Sequence, residues 1–317
     1  MTGGGERASA SAPESSQHVA PLPSGVALQL AHAVVRHAAD LSDARIVVVK
    51  GLAAARIGMR EAWRGADVDV MAEPTRFDAL IGALNGMGWH ARPADDDELA
   101  FPPHSLSLTH PHWPCDLDVH FRFPGFERPD ADVFEALWAH RVEAEVADGR
   151  VWVTDEIDTV LTLALHDLRN PRVSRHRADL VALSRHVAPI EPRALIERAE
   201  ELGALACARP FLEPLLTTGL AEGVQWREPS REWRLRLLDP LARRFVLLFD
   251  GTYRRHGVSL RRLFAPPRTT IVKDGLPQAS LDTTALVRGY ARRWVRGIRH
   301  APAALWSAMR FVSQAGR

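Results

Sequence analysis

Asp67 and Asp69 stand two residues apart in Asp67-Val68-Asp69-Val70-Met71, where polar and apolar residues alternate with the period of a β-strand. Both carboxylates therefore leave the same face, where two like charges are costly unless a cation sits between them. Oxygen donors of this kind suit a hard ion such as Mg²⁺ or Mn²⁺. A second segment, Asp116-Leu117-Asp118-Val119-His120, repeats the alternation and offers Asp116 and Asp118 on one face, with His120 two residues further on. Three carboxylates holding two cations about 3.5–4 Å apart would activate an attacking oxygen and neutralise a departing phosphate. An isolated Asp-x-Asp is equally what a solvated strand edge looks like, so the surrounding elements have to decide.

Those elements are legible in outline. Apolar residues at helical spacing from Val26 to Asp40 predict a first helix, and the β-branched run Arg45 to Lys50, closed by Gly51, predicts a buried strand. Leu52 to Arg60 is alanine-rich and predicts a helix whose N-terminus follows Gly51, which would turn backbone N–H groups toward an anion. Pro74 opens a helix to about Met87, and strands are expected at Ser105–Thr109, Asp116–Phe121 and Val151–Thr154. Asp155 and Glu156 then cap a long run of helical periodicity reaching about Phe249. After Ala265-Pro266-Pro267 a last helix is expected from Ala285 to about Val312, carrying Arg288, Arg292, Arg293, Arg296, Arg299 and Arg310 and no acid. The expected organisation is a disordered arm over 1–24, a catalytic domain over 25–155, a helical domain over 156–264, and a linker with an Arg-rich amphipathic helix over 265–317.

Composition bounds the function. With 317 residues, 46% hydrophobic and 25% charged, the chain can bury a core, and a formal net charge of +1 supplies no global field for nucleic acid. Cys115 and Cys207 are too few and too far apart for a disulfide framework or a zinc knuckle. No signal-peptide pattern opens the chain and no apolar run is long enough to span a bilayer, so the expected location is cytoplasmic. Lys50 and Lys273 are the only lysines in a chain that otherwise uses arginine.

The order of these parts, a strand, the Lys50-Gly51 turn, a helix, Arg64-Gly65-Ala66-Asp67-Val68-Asp69 and a strand ending Asp118-Val119-His120, resembles the nucleotidyltransferase superfamily, in particular its poorly characterised bacterial branch with a Lys-Gly turn. The resemblance covers about residues 26–185, and includes His166 and Asp179-Leu180 in the helical part. It implies an α+β fold, a nucleotidyltransferase-like mixed sheet with flanking helices followed by an α-helical domain, with the active site between them. It places Asp67, Asp69 and Asp118 on the metal-binding, catalytic positions and Lys50, Gly51, Arg64 and His120 on the nucleotide-handling positions. It implies Mg²⁺ or Mn²⁺, a nucleoside triphosphate such as ATP, and transfer of AMP to a hydroxyl of a small molecule, an RNA end or a protein, releasing pyrophosphate. The turn departs from the usual Gly-Ser, since Leu52 has no hydroxyl to offer a phosphate. His166, Asp167 and Asp179 are expected as pocket walls.

Two other readings stand beside this one. His104, His110, His112, Asp116, Asp118 and His120 contain the donors of a zinc-dependent hydrolase. Alternatively, an inactive adaptor would dock through the Arg-rich C-terminal helix, whose pattern also suits peripheral contact with a membrane or an acidic partner.

Overall fold

The computed structural model describes residues 22–61, 63–92, 101–169, 173–216, 223–255 and 283–315. The expected N-terminal arm, apart from its last residues, and the Pro-rich linker lie outside them. Helix α1 (Ser24–Ser42) leads into strand β1 (Ile46–Val48), helix α2 (Leu52–Arg56), strand β2 (Asp67–Ala72) and helix α3 (Phe77–Gly86). Strands β3 (His90–Ala91), β4 (Ser105–Thr109) and β5 (Asp116–His120) follow, then α4 (Asp130–Ala139), β6 (Val142–Val146) and β7 (Gly149–Val153). The seven strands form one mixed sheet in the order β3-β4-β5-β2-β1-β7-β6.

Alternation along the strands sorts the two faces. Ile46, Val48, Val68, Val70, Leu117 and Val119 point to one side, where α1 and α3 bring Leu28, Val35, Leu80 and Leu84 into the same core. Val47, Val49 and Met71 point to the other, into a cluster built with Val160, Leu161, Ala164 and Leu165 of α5 (Glu156–Leu168). Helices α6 (Ser174–His186), α7 (Pro192–Glu201) and α8 (Leu205–Leu212) add Leu183, Leu195 and Cys207 to that cluster. The helical part thus shares a core with the sheet face it covers. Both cysteines are buried and free.

α5 begins where capping chemistry places it, with the Asp155 carboxylate accepting the Asp158 N–H. Several other elements differ from expectation. The helix expected over 52–60 is one turn, ending at Arg56, because Gly58 turns the chain at φ +74° and Met59 N–H returns to the Ala54 carbonyl at 2.9 Å. The strand expected at Val151 starts at Gly149 and has a partner, β6, that the sequence pattern did not show. Their two-residue turn is Ala147-Asp148, both at positive φ, so the Asp-Gly hairpin signal is present but displaced by one residue.

Beyond α8 lie α9 (Arg231–Arg236), α10 (Pro240–Phe249), α11 (Thr252–Arg255) and the 33-residue α12 (Thr283–Ala315). α12 extends the expected last helix at both ends. Its Ala308 and Phe311 pack against Leu235, Val246, Leu247 and Tyr253. Among the described residues no helix is long and apolar enough to cross a membrane.

Candidate active site

β2 and β5 run parallel in a register that sets Asp67 opposite Asp116, Asp69 opposite Asp118 and Met71 opposite His120. The period of two then puts all six side chains on the α5 side of the sheet. Along β2 the exposure falls from Asp67, which is exposed, through Asp69 at 5%, to Met71, which is fully buried. The acids are therefore the polar end of a face that continues into the core.

Asp69 is the centre of the arrangement. Its Oδ1 receives the Lys50 ammonium, itself only 8% exposed, and lies 3.3 Å from His120 Nε2. The same Nε2 is 3.1 Å from Asp118 Oδ2, and Ser107 on β4 donates to Asp118 Oδ1 at 3.2 Å. Burial pushes Asp69 up, but Lys50 and then His120 more than cancel it and hold the carboxyl below its ordinary value. Burial opposes the charge on Asp118 as well, and His120 followed by Lys50 holds that group well below the carboxylate range. His120 is raised in turn, since Asp118 and Asp69 outweigh the burial that would strip its proton. Asp67 moves the other way, raised by burial and then by the charge of Asp69, with Lys50 partly offsetting both.

Asp69, Asp118 and His120 each present a ligand atom within 4.8 Å of the others. Asp69 and Asp118, with Asp67 one pleat away, make an all-oxygen donor set that fits Mn²⁺ or Mg²⁺. Lys50 and His120 supply positive charge beside the same carboxylates. Asp116, opposite Asp67 in the register, is ion-paired with Arg92. Gly51 follows Lys50 at φ +38°, a conformation that strains any side chain, so the glycine is a backbone requirement of this turn.

A second tier comes from the C-terminal end of α5, packed over the acid face. Arg169 Nη2 donates to His166 Nδ1 at 2.9 Å, which leaves His166 with its proton on Nε2. Burial, then Arg169 and Lys50, push His166 down to about 2, so it is neutral. Arg169 lies over Phe123, 5.4 Å from the ring centroid, and is lowered to about 10 by burial and by Arg236, against the attraction of Asp118 and Asp69. His176 Nδ1 lies 2.5 Å from Asp167 Oδ1, and Asp179 pairs with Arg175 at 3.7 Å. His166, Asp167 and His176 also lie within ligand distance of one another, though His176 is already paired with Asp167 and His166 accepts from Arg169.

Arg64 is 77% exposed and pairs with Glu61 at 2.9 Å, neither with Asp67 nor with any other group of the cluster. Arg169 was the cation that sequence reading missed. Its signal was present, one turn after His166 in His166-Asp167-Leu168-Arg169. Also missed was Ser107, paired across the sheet with Asp118. His104 stands beside His120, with ring centroids 5.9 Å apart, and burial with Arg236 and His120 lowers it to about 3. His110 and His112 join no His/acid group within ligand distance among the described residues, so the zinc-hydrolase donors are not assembled as that reading required.

Residues 27–213, more than half of the chain, match the family described as uncharacterised nucleotidyltransferase. No curated protein matches the chain. Among solved structures, that of an antigenic nucleotidyltransferase-like protein from Paracoccidioides brasiliensis aligns at 14% identity, covering 62% of this chain and 94% of that one, with a TM-score of 0.37.

Proposed function

The chain belongs to the uncharacterised nucleotidyltransferase family, and we propose that it transfers AMP from ATP to a hydroxyl-bearing acceptor with release of pyrophosphate. The observation that carries this reading is the in-register parallel pairing of β2 and β5, which brings Asp69 and Asp118 side by side with Lys50 and His120 against them. Asp67, Asp69 and Asp118 are proposed to hold Mg²⁺ or Mn²⁺, which when bound would polarise the α-phosphoryl oxygen and screen the leaving group.

In the proposed reaction the acceptor oxygen forms a bond to the α-phosphorus while the bond from that phosphorus to the bridging oxygen of pyrophosphate breaks. The Asp118 carboxylate, held anionic by His120 and Lys50 and fixed at one oxygen by Ser107, orients the acceptor hydroxyl as a hydrogen-bond acceptor, and the acceptor proton leaves to water as the new bond forms. His120 orients Asp118 and Asp69 through one Nε2. Lys50 and Arg169, the cations beside the acids, are proposed to contact the triphosphate, Lys50 as a point charge and Arg169 as a planar fork. Neutral His166, with its proton on Nε2, adds a donor to the same wall. Gly51 lets the chain turn closely past the phosphates.

The test is incubation of the purified protein with each nucleoside triphosphate and Mg²⁺ or Mn²⁺, reading pyrophosphate release and the mass of both products and protein. Asp69→Asn and Asp118→Asn should each abolish pyrophosphate release while the variants keep their fold. Full release by both variants would overturn the proposal.

A further inference from the structure

α12 has three faces with different chemistry. At 3.6 residues per turn, Ala304, Ala308 and Phe311 form the buried face against α10. Val287, Ile298, Leu305, Met309 and Val312 recur at intervals of 11, 7, 4 and 3 residues, which places them on a second stripe, and all are exposed, Ile298 by 68%. Val295 and Trp306, 59% and 60% exposed, lie at the outer edge of that stripe. Next to that edge run Arg288, Arg292, Arg296, Arg299 and Arg310, all exposed, and Arg310 packs 5.5 Å from the Trp306 ring. The helix contains no Asp or Glu. From Val287 to Val312 the stripe is about 38 Å long at ~1.5 Å per residue.

We propose that this face of α12 lies on an anionic membrane surface, with the apolar stripe in the acyl boundary and the arginines at headgroup depth. An apolar stripe this long in water is unfavourable, and its border of arginine with a tryptophan matches the polarity gradient of a bilayer interface. Nucleic acid would take the arginines and leave the apolar stripe in water. A helix-binding protein groove would have to enclose a helix that α10 already holds on one side. Spanning is not involved, since α12 is not apolar enough to cross. The surface lies beyond residues 27–213, so it is separate from the part of the chain that carries the family match and the candidate active site.

The experiment is co-sedimentation of the full chain with vesicles of phosphatidylcholine alone or mixed with phosphatidylglycerol, at low and high salt. The protein should pellet with the anionic vesicles only, and less so as salt rises. Arg292→Gln, Arg296→Gln and Arg299→Gln should each lower the partition coefficient about fivefold, on the order of 100-fold together. Ile298→Asp and, separately, Trp306→Ser should weaken binding with an unchanged circular dichroism spectrum, because both side chains project into solvent. Failure to pellet with anionic vesicles, equal binding to neutral ones, or full binding by the Ile298→Asp variant would overturn the proposal. So would a dimer in light scattering that Ile298→Asp converts to a monomer, since a second copy would then be the occupant.

Discussion

Replacing Lys50 by methionine keeps the length of the side chain and deletes its charge, and the structure sets the consequence. Lys50 and Asp69 are 8% and 5% exposed and are paired with each other, so the variant leaves a buried carboxylate beside Asp118 and Asp67 with His120 as its remaining directly paired cation. Removing one partner of a buried pair costs about 3–5 kcal/mol, and the surviving His120 contact puts the expectation at the lower end, about 3 kcal/mol. At roughly 2–4 °C per kcal/mol for a chain of this size, the melting temperature should fall by about 6–12 °C. Urea denaturation at neutral pH should show a lower midpoint with the slope unchanged. The double variant Lys50→Met/Asp69→Asn should recover most of the loss, because neither charge remains to be uncompensated, yet it should release no pyrophosphate. A loss below about 1 kcal/mol in the single variant, or a double variant less stable than the single one, would refute the account of Lys50 as the counter-ion of Asp69.

The same variant should bind Mg²⁺ about tenfold more tightly in the absence of nucleotide, measured by calorimetry, because the cation no longer competes with the ammonium. Arg169→Ala should raise the KM for the triphosphate about 10- to 100-fold, the worth of a charge-assisted hydrogen bond, whereas Arg64→Ala should change it less than threefold in the same steady-state assay. Asp158 is fully buried on Arg198, which also serves Asp155 and Glu201, and burial followed by the Asp155 charge raises its carboxyl to about 7. The folded state thus keeps a proton that the unfolded chain loses near pH 4, so stability falls as pH rises from about 4 to 7, by at most ~4 kcal/mol at 1.36 kcal/mol per pK unit. Melts at pH 5 and pH 8 should differ in that sense for the wild type and converge in Asp158→Asn. Leu161→Ala, in the core shared by sheet and helices, should cost about 2–5 kcal/mol and shift one common calorimetric transition, and two separate transitions would show that the layers unfold independently.

The residue types of the candidate site, and the local elements that carry them, are readable from the chain alone. Asp67, Asp69 and Asp118 alternate with apolar residues, so their common face along each strand follows from the period of two. The capping of α5 by Asp155 and the acid-free, arginine-rich character of α12 are equally local properties. The hairpin of β6 and β7 escaped because its turn carries Ala147 where an asparagine or glycine is usual. Tertiary structure decided which of these groups meet. The parallel register of β2 and β5 joins residues about fifty positions apart, and it chooses Asp118 as the neighbour of Asp69 while Asp116, opposite Asp67, pairs with Arg92. Packing of α5 on the acid face brings Arg169 to the acids, whereas Arg64, the arginine close to them in sequence, is exposed. Side-chain direction along a strand is set by its own backbone, but the charge state and partners of a buried group depend on what the rest of the fold packs against it. For that reason the acids could be named from the sequence, while the Lys50 and His120 contacts that hold Asp69 could not.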